Sequence, residues 1–114
     1  MPVQAGERSA PRDPLSALSS PRRREILRFI WSHERPAGEI ARGFDVSWPA
    51  ISQNLRVLKE SGLVRERRSG TSRLYRANRA ALRPLEAYLR HMWERDIDRL
   101  RLAAEAEERN RSKS

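Results

Sequence analysis

Residues 36–78 read PAGEIARGFDVSWPAISQNLRVLKESGLVRERRSGTSRLYRAN, and this stretch decides the fold. Ala37 to Gly43 has the pattern of a short helix, with Ile40 and Ala41 on its inner side and Gly43 as a C-terminal stop. Phe44-Asp45-Val46 forms the turn, and its two apolar side chains fill the angle to the next helix. Ser47 caps that helix, and Pro49 falls in its first turn, where a missing N–H does no harm. At about 100° per residue, Ile51, Leu55 and Leu58 share the core side. The opposite side presents Pro49, Gln53, Arg56 and Glu60, flanked by Ser52, with Trp48 at the open N-terminal end.

Ser61-Gly62 ends this helix, and Leu63 to Arg68 alternates loosely as a strand. Ser69-Gly70 makes a turn and Arg73 to Ala77 returns, so the hairpin tip carries Arg67, Arg68 and Arg73. A helix pair joined by a tight turn and followed by a basic hairpin predicts a mainly α (α+β) winged helix-turn-helix with a two-stranded wing. In such a fold the N-terminal half of the second helix enters the major groove of DNA. The candidate contacts on that helix are Ser47, Trp48, Pro49, Ser52, Gln53 and Arg56. Gln53 suits adenine N6 and N7, Ser52 can donate to or accept from any base, and Arg56 suits guanine or phosphate. Arg67, Arg68 and Arg73 on the wing can straddle the backbone or enter a narrow minor groove, where the negative potential is strongest. Taken alone, the same helix side is the wet side of a surface helix; the adjoining basic hairpin is what favours DNA.

Working outward, residues 1–12 combine Pro, Ser, Ala and charge and are expected to form a flexible tail. A single domain is expected over 13–107, with a second tail over 108–114. Leu15 and Leu18 mark a short helical turn, and Ser20-Pro21 starts a helix that buries Ile26, Leu27, Ile30 and Trp31. Arg22-Arg23-Arg24 opposes the dipole at that helix start and is either a phosphate contact or a solvated face.

From Ala80 to about Glu108 one long helix is expected, with Pro84 in its first turn and fraying from Glu105 onward. Leu82, Leu85, Leu89, Met92, Trp93, Ile97 and Leu100 recur at three and four residues, more apolar surface than a terminal helix on so small a domain can bury internally. A homodimer follows as the expectation, with Leu15, Leu18, Leu85, Leu89, Met92, Trp93, Ile97 and Leu100 at the two-fold interface.

The formal charge of +9 is localised: fifteen basic against seven acidic residues fall in 13–83, and seven against seven in 84–114. A basic surface confined to one region favours a polyanion, because neutralised phosphates release condensed counterions. The chain has no cysteine, which excludes disulfides and thiolate metal sites. No apolar run reaches the roughly 20 residues of a membrane span and the N-terminus has no signal-peptide core, so a cytoplasmic protein is expected. With no cysteine nucleophile, no phosphate-cradling glycine loop and two histidines on separate elements, an enzyme is not expected.

From Pro14 to Leu102 the chain resembles ArsR/SmtB-type winged-helix repressors. The resemblance rests on Ala17-Leu18, Pro21 through Leu27, Gly38 through Ala41, Ser47 through Leu58, Gly62-Leu63-Val64, and Arg68-Ser69-Gly70 before Tyr75. It implies a symmetric dimer through the first and last helices, repression by operator occupancy, and DNA contacts at Trp48, Pro49, Ser52, Gln53 and the segment Arg67 to Arg73. The departures concern metal. Cysteines of the arsenic and cadmium sensors are missing, and the last helix has one histidine, His91, with Asp96 and Asp98 nearby, too weak a set for a sensor-grade site. Trp93-Glu94-Arg95 is similar to members without metal sites, and Asn54 stands where a histidine is common, at the edge of the core. Neither metal nor cofactor is expected. The expected function is a metal-independent homodimeric repressor on a palindromic double-stranded DNA operator. The alternative is an antitoxin-like or architectural module that uses the same fold to hold a protein partner.

Overall fold

The structure, a computed structural model, describes residues 13–113, with side-chain environments for 13–97 and 105–109. The N-terminal tail expected over 1–12 lies outside the described residues. Among the described residues, six helices and three strands follow in order: α1 (Pro14–Ala17), α2 (Pro21–Phe29), β1 (Arg35–Pro36), α3 (Ala37–Arg42), α4 (Trp48–Glu60), β2 (Val64–Ser69), β3 (Ser72–Ala77), α5 (Arg79–Leu82) and α6 (Glu86–Lys113), with a 3-10 turn at Arg83–Leu85 before α6.

Local chemistry starts each of the helices that matter. Ser20 accepts a hydrogen bond from Arg23 N at 3.2 Å, and Ser47 accepts one from Ala50 N at 3.3 Å, each with a proline in the first turn behind it. At the far end of α4 the Gly62 N–H donates to Lys59 O and the Leu63 N–H to Leu58 O. This paired closure requires a left-handed residue, and Gly62 supplies it at φ 79°. Gly43 also ends its helix as expected, but with φ −77°, so left-handed freedom is not its use. A Cβ there would lie 3.3 Å from Phe29 Cζ, so the missing side chain makes room for the phenyl ring that packs behind the turn.

The inner sides of α1 to α4 close on one core with Leu63, Val64, Tyr75 and Ala77 of the wing base and Leu82, Leu89 and Trp93 from the C-terminal segment. Each such apolar side chain, fully buried, contributes about 1.5–3 kcal/mol relative to exposure. The hairpin register pairs Val64 with Ala77, Glu66 with Tyr75 and Arg68 with Arg73. A third strand was not expected: Arg35 and Pro36 add to the outer edge of β3, opposite Tyr75 and Leu74. Two residues carry no readable alternation, and Pro36 reads in sequence as a helix approach, which it also is, standing at the N-cap of α3.

Pro84 changes the last element. It lacks an N–H and crowds the carbonyl four residues back, so the expected continuous helix from Ala80 is broken into α5, the 3-10 turn and α6. α6 then stays helical to Lys113, past Glu105, because residues 101–109 are Arg, Leu, Ala and Glu, all strong helix formers.

The arginine triplet divides: Arg22 is exposed, Arg23 half-buried and Arg24 buried. Arg24 is 3% exposed and forms a two-pronged ion pair with Asp96, Nε to Oδ2 and Nη2 to Oδ1 both at 3.0 Å, while Nη1 donates to Leu18 O at 2.9 Å. Trp93 Nε1 donates to Arg24 O at 2.8 Å, and the Trp93 ring meets Trp31 edge-on at 5.2 Å. α6 is thereby fastened to the start and end of α2. Arg23 donates from Nε to Ala17 O at 2.7 Å and from Nη1 to Asn54 Oδ1 at 3.2 Å, and Arg22 lies over the Phe44 ring at 5.5 Å.

The same packing corrects the expected dimer set. Leu18, Leu89 and Trp93 are buried in this chain's own core, and Leu85 packs against it. Periodicity alone does not say which apolar face of a helix meets its own domain. Leu15 (62% exposed), Ile97 (39%) and the half-buried Met92 remain on the surface, joined by Tyr88 (43%), which the sequence reading missed. The side chain of Leu100 lies outside those described.

Candidate nucleic-acid interface

α4 is held from behind and open in front. Ile51, Leu55, Val57 and Leu58 fill the core, while Asn54 accepts from Arg23 and donates from Nδ2 to Ala50 O at 2.8 Å, tying the helix to α1 and α2. Asn54 is therefore a structural residue at the core edge. Burial lowers the pKa of the Arg23 guanidinium below its ordinary value. Ahead of this anchor, Trp48 is 51% exposed, Pro49, Gln53 and Arg56 are exposed, and Ser52 is half-buried. Ser47 is exposed too, but its hydroxyl oxygen is occupied by the helix cap.

The turn before α4 is fixed by Phe44, whose ring meets Phe29 edge-on at 5.9 Å, while Arg35 covers the other ring at 5.1 Å. Beyond α4, the wing stands beside the reading side. Pro36, Gly38, Trp48, Ser52, Ser72 and Arg73 line an open cleft of about 430 Å³ between the N-terminal ends of α3 and α4 and the hairpin. Ser52 and Trp48 thus share a wall with the wing residue Arg73.

The expected wing arginines divide by strand alternation. Arg68 and Arg73 are directly opposed and lie on the Tyr75 side of the hairpin. Arg67 points the other way and is clasped by Glu34, Nε to Oε2 and Nη2 to Oε1 both at 2.8 Å, which raises the Arg67 pKa and lowers that of Glu34. Arg68 and Arg73 therefore share the Tyr75 side, where Arg73 meets Glu66, and Arg67 is paired with Glu34 on the other. Arg56, exposed on α4, has no ion-pair partner among the described residues.

One residue absent from the expected site joins helix to wing. Glu66 on β2 accepts from Lys59 Nζ at 2.5 Å, from Tyr75 OH at 2.8 Å and from Arg73 Nη1 at 3.3 Å. The hydrogen bond from Lys59, then that from Tyr75, holds its carboxyl below the usual range. Burial, then the bond to Glu66, pushes the Tyr75 phenol up to about 12. The sequence signal was available: Glu66 is the single acid in a wing with five arginines.

Among the described residues no group of three or more His, Cys, Asp or Glu is placed to hold a metal, and Asp96 is taken by Arg24. No described helix is long and apolar enough to cross a membrane.

A model of the helix-turn-helix domain matches residues 18–67. The HTH-type transcriptional regulator Rv2034 of Mycobacterium tuberculosis is 38% identical over 81 residues, spanning 71% of this chain and 76% of that protein. The transcriptional repressor SdpR of Bacillus subtilis is 36% identical over 66 residues, spanning 58% and 73%. Among solved structures, the homodimeric winged helix-turn-helix DNA-binding domain Mb0332 of Mycobacterium bovis, described as a possible ArsR-family regulator, superposes with a TM-score of 0.63 at 29% identity, covering 81% of this chain and 83% of that one. With its helix pair, its wing and these relatives, the chain belongs to the ArsR-type family of winged helix-turn-helix, DNA-binding transcriptional regulators.

Proposed function

We propose that the protein is a cytoplasmic, homodimeric repressor that occupies a palindromic operator and responds to no transition metal. The observation that carries this reading is the shared front of α4 and the wing. Trp48, Ser52 and Arg73 line one cleft, Gln53 is exposed beside Ser52 and Arg68 is opposite Arg73 in the hairpin, which supports base contacts from the helix and backbone contacts from the wing. Gln53 and Ser52 read bases, Arg56 takes guanine or phosphate, Trp48 and Pro49 pack against the groove wall, and the wing arginines supply charge.

A dimer is supported by Leu15, Tyr88, Met92 and Ile97, apolar or amphipathic side chains left at the surface of the outer helices. Two-fold symmetry then sets two copies of α4 on two half-sites, which makes the operator palindromic. SdpR is a transcriptional repressor, which supports repression here. The metal-independent part is supported by a chain without cysteine and by the engagement of Asp96 with Arg24.

The test is selection of duplexes from a random library by the full-length protein, followed by footprinting. A palindromic footprint with a specificity ratio of at least about 10³ over scrambled duplex is expected. Weak, sequence-indifferent binding would instead favour a module that holds a protein partner. Micromolar zinc added to the complex should leave the footprint in place, and release by zinc would end the metal-independent reading.

A further inference from the structure

Within residues 64–77 five arginines surround one carboxylate, Glu66. An anion beneath a phosphate-facing surface opposes attraction to every duplex alike, because that attraction is sequence-independent. Glu66 also engages two cations on the same side. Oε1 accepts from Lys59 Nζ, in the last turn of α4, while Oε2 accepts from Arg73 Nη1 and Tyr75 OH on β3. Its side chain is mostly buried, whereas those of Lys59 and Arg73 are about half exposed, so the carboxylate is the fixed member of the cluster. Glu66 sits opposite Tyr75 in the hairpin register, and the Tyr75 hydroxyl anchors it from the paired strand. The recognition helix and the return strand of the wing are thereby linked through one side chain of β2.

We propose that Glu66 is a specificity-determining positioning residue, which fixes the wing against the recognition helix and keeps Lys59 and Arg73 from grasping phosphates indiscriminately. It acts through these two cations and touches no base. Specificity is a difference between two affinities, and lowering the affinity for wrong sequences raises it as surely as improving the right contacts. With the wing angle set, only a duplex that brings its backbone to the wing while its bases meet α4 gains from both. The inference rests on the DNA-reading function proposed above.

The experiment compares the full-length protein and Glu66→Gln on a duplex selected by the parent from a random library and on a scrambled duplex, across a range of salt. Gln keeps the volume and a hydrogen bond to Tyr75 but releases both cations. Affinity for scrambled duplex should rise several-fold and its salt slope should steepen by about one to two units, one for each cation freed. Affinity for the selected duplex should rise less or fall, so that the specificity ratio shrinks by roughly tenfold, since the new phosphate contacts are open to every sequence. An unchanged ratio with an unchanged scrambled-duplex slope would overturn the role of Glu66. If Glu66→Gln fails to fold, Lys59→Met cuts the same link from the helix side: the ratio should still shrink, now without a gain on scrambled duplex, and an unchanged ratio overturns the proposal. A parent protein that does not distinguish selected from scrambled duplex sinks the DNA-reading function, and this proposal with it. A discriminating parent with an equally discriminating variant sinks this proposal alone.

Discussion

Gln53 is exposed on the outer side of a helix whose inner side is committed to the core, so its truncation tests the proposed base contact without disturbing packing. Gln53→Ala should cost roughly 1–3 kcal/mol on the specific site and relax preference at one position in each half-site. Unchanged discrimination against scrambled duplex, measured by titration, would remove Gln53 from the reading set. Tyr75 makes a second residue-scale prediction. Its phenol is pushed from 10.0 to about 12, chiefly by burial and then by the hydrogen bond to Glu66, so the folded state holds this proton more tightly than the unfolded chain does. The stability it confers is complete below pH 10 and is lost as the pH rises through about 12. An alkaline absorbance titration should show a late tyrosinate step that disappears in Tyr75→Phe. The Glu66 carboxyl runs the other way: its pKa is lowered, so its contribution is present above the ordinary carboxylate range and is lost as acid brings the pH down through the lowered value.

At the scale of elements, the wing is an electrostatic device whose two faces differ. Arg68 and Arg73 oppose each other on the cleft side, and Arg67 on the other face is already paired with Glu34. Replacing Arg68 and Arg73 together with Ala should weaken specific and non-specific binding alike and lower the salt slope by about one unit, chiefly through Arg68, because Glu66 already engages Arg73. Arg67→Ala should change that slope less than either. A double variant whose slope equals the parent's would show that the wing leaves phosphate untouched. The recognition helix is held differently, by apolar packing and by the Arg23–Asn54 bond, and so keeps its place if the wing is altered.

For the whole molecule, the question is which surface meets a second copy. Ile97 is exposed on α6, whereas Leu89 and Trp93 on the same helix are inside this chain's core. Ile97→Glu should therefore give a folded monomer by analytical ultracentrifugation that no longer binds the full operator, because a single half-site offers too small an interface. Leu89→Ala should instead lower the stability of the domain itself, by about 2–5 kcal/mol in chemical denaturation. A folded, monomeric Ile97→Glu that still binds the operator tightly would refute the dimer reading.

The helix pair, the turn at Phe44, the core side of the recognition helix and the hairpin around Gly70 were all determined by local chemistry and could be read from residues 36–78. Caps, proline in a first turn and apolar spacing act within a few residues of one another, and a sequence displays such relations directly. What the sequence left open involves partners far apart along the chain. Arg24 and Asp96 are 72 residues apart, and nothing in the triplet of arginines says that its third member turns inward while the second caps α1 and holds Asn54. Leu89, Trp93 and Ile97 share one helical pattern, yet only packing against α2 decides that the first two face their own domain and the third does not. Arg67 and Arg68 are adjacent and chemically identical, but strand alternation sends one to Glu34 and the other to the cleft side. A buried ion pair, a choice of apolar face and the partner of a charge are all settled by which surfaces meet, and that is fixed only when the whole chain has closed on its core.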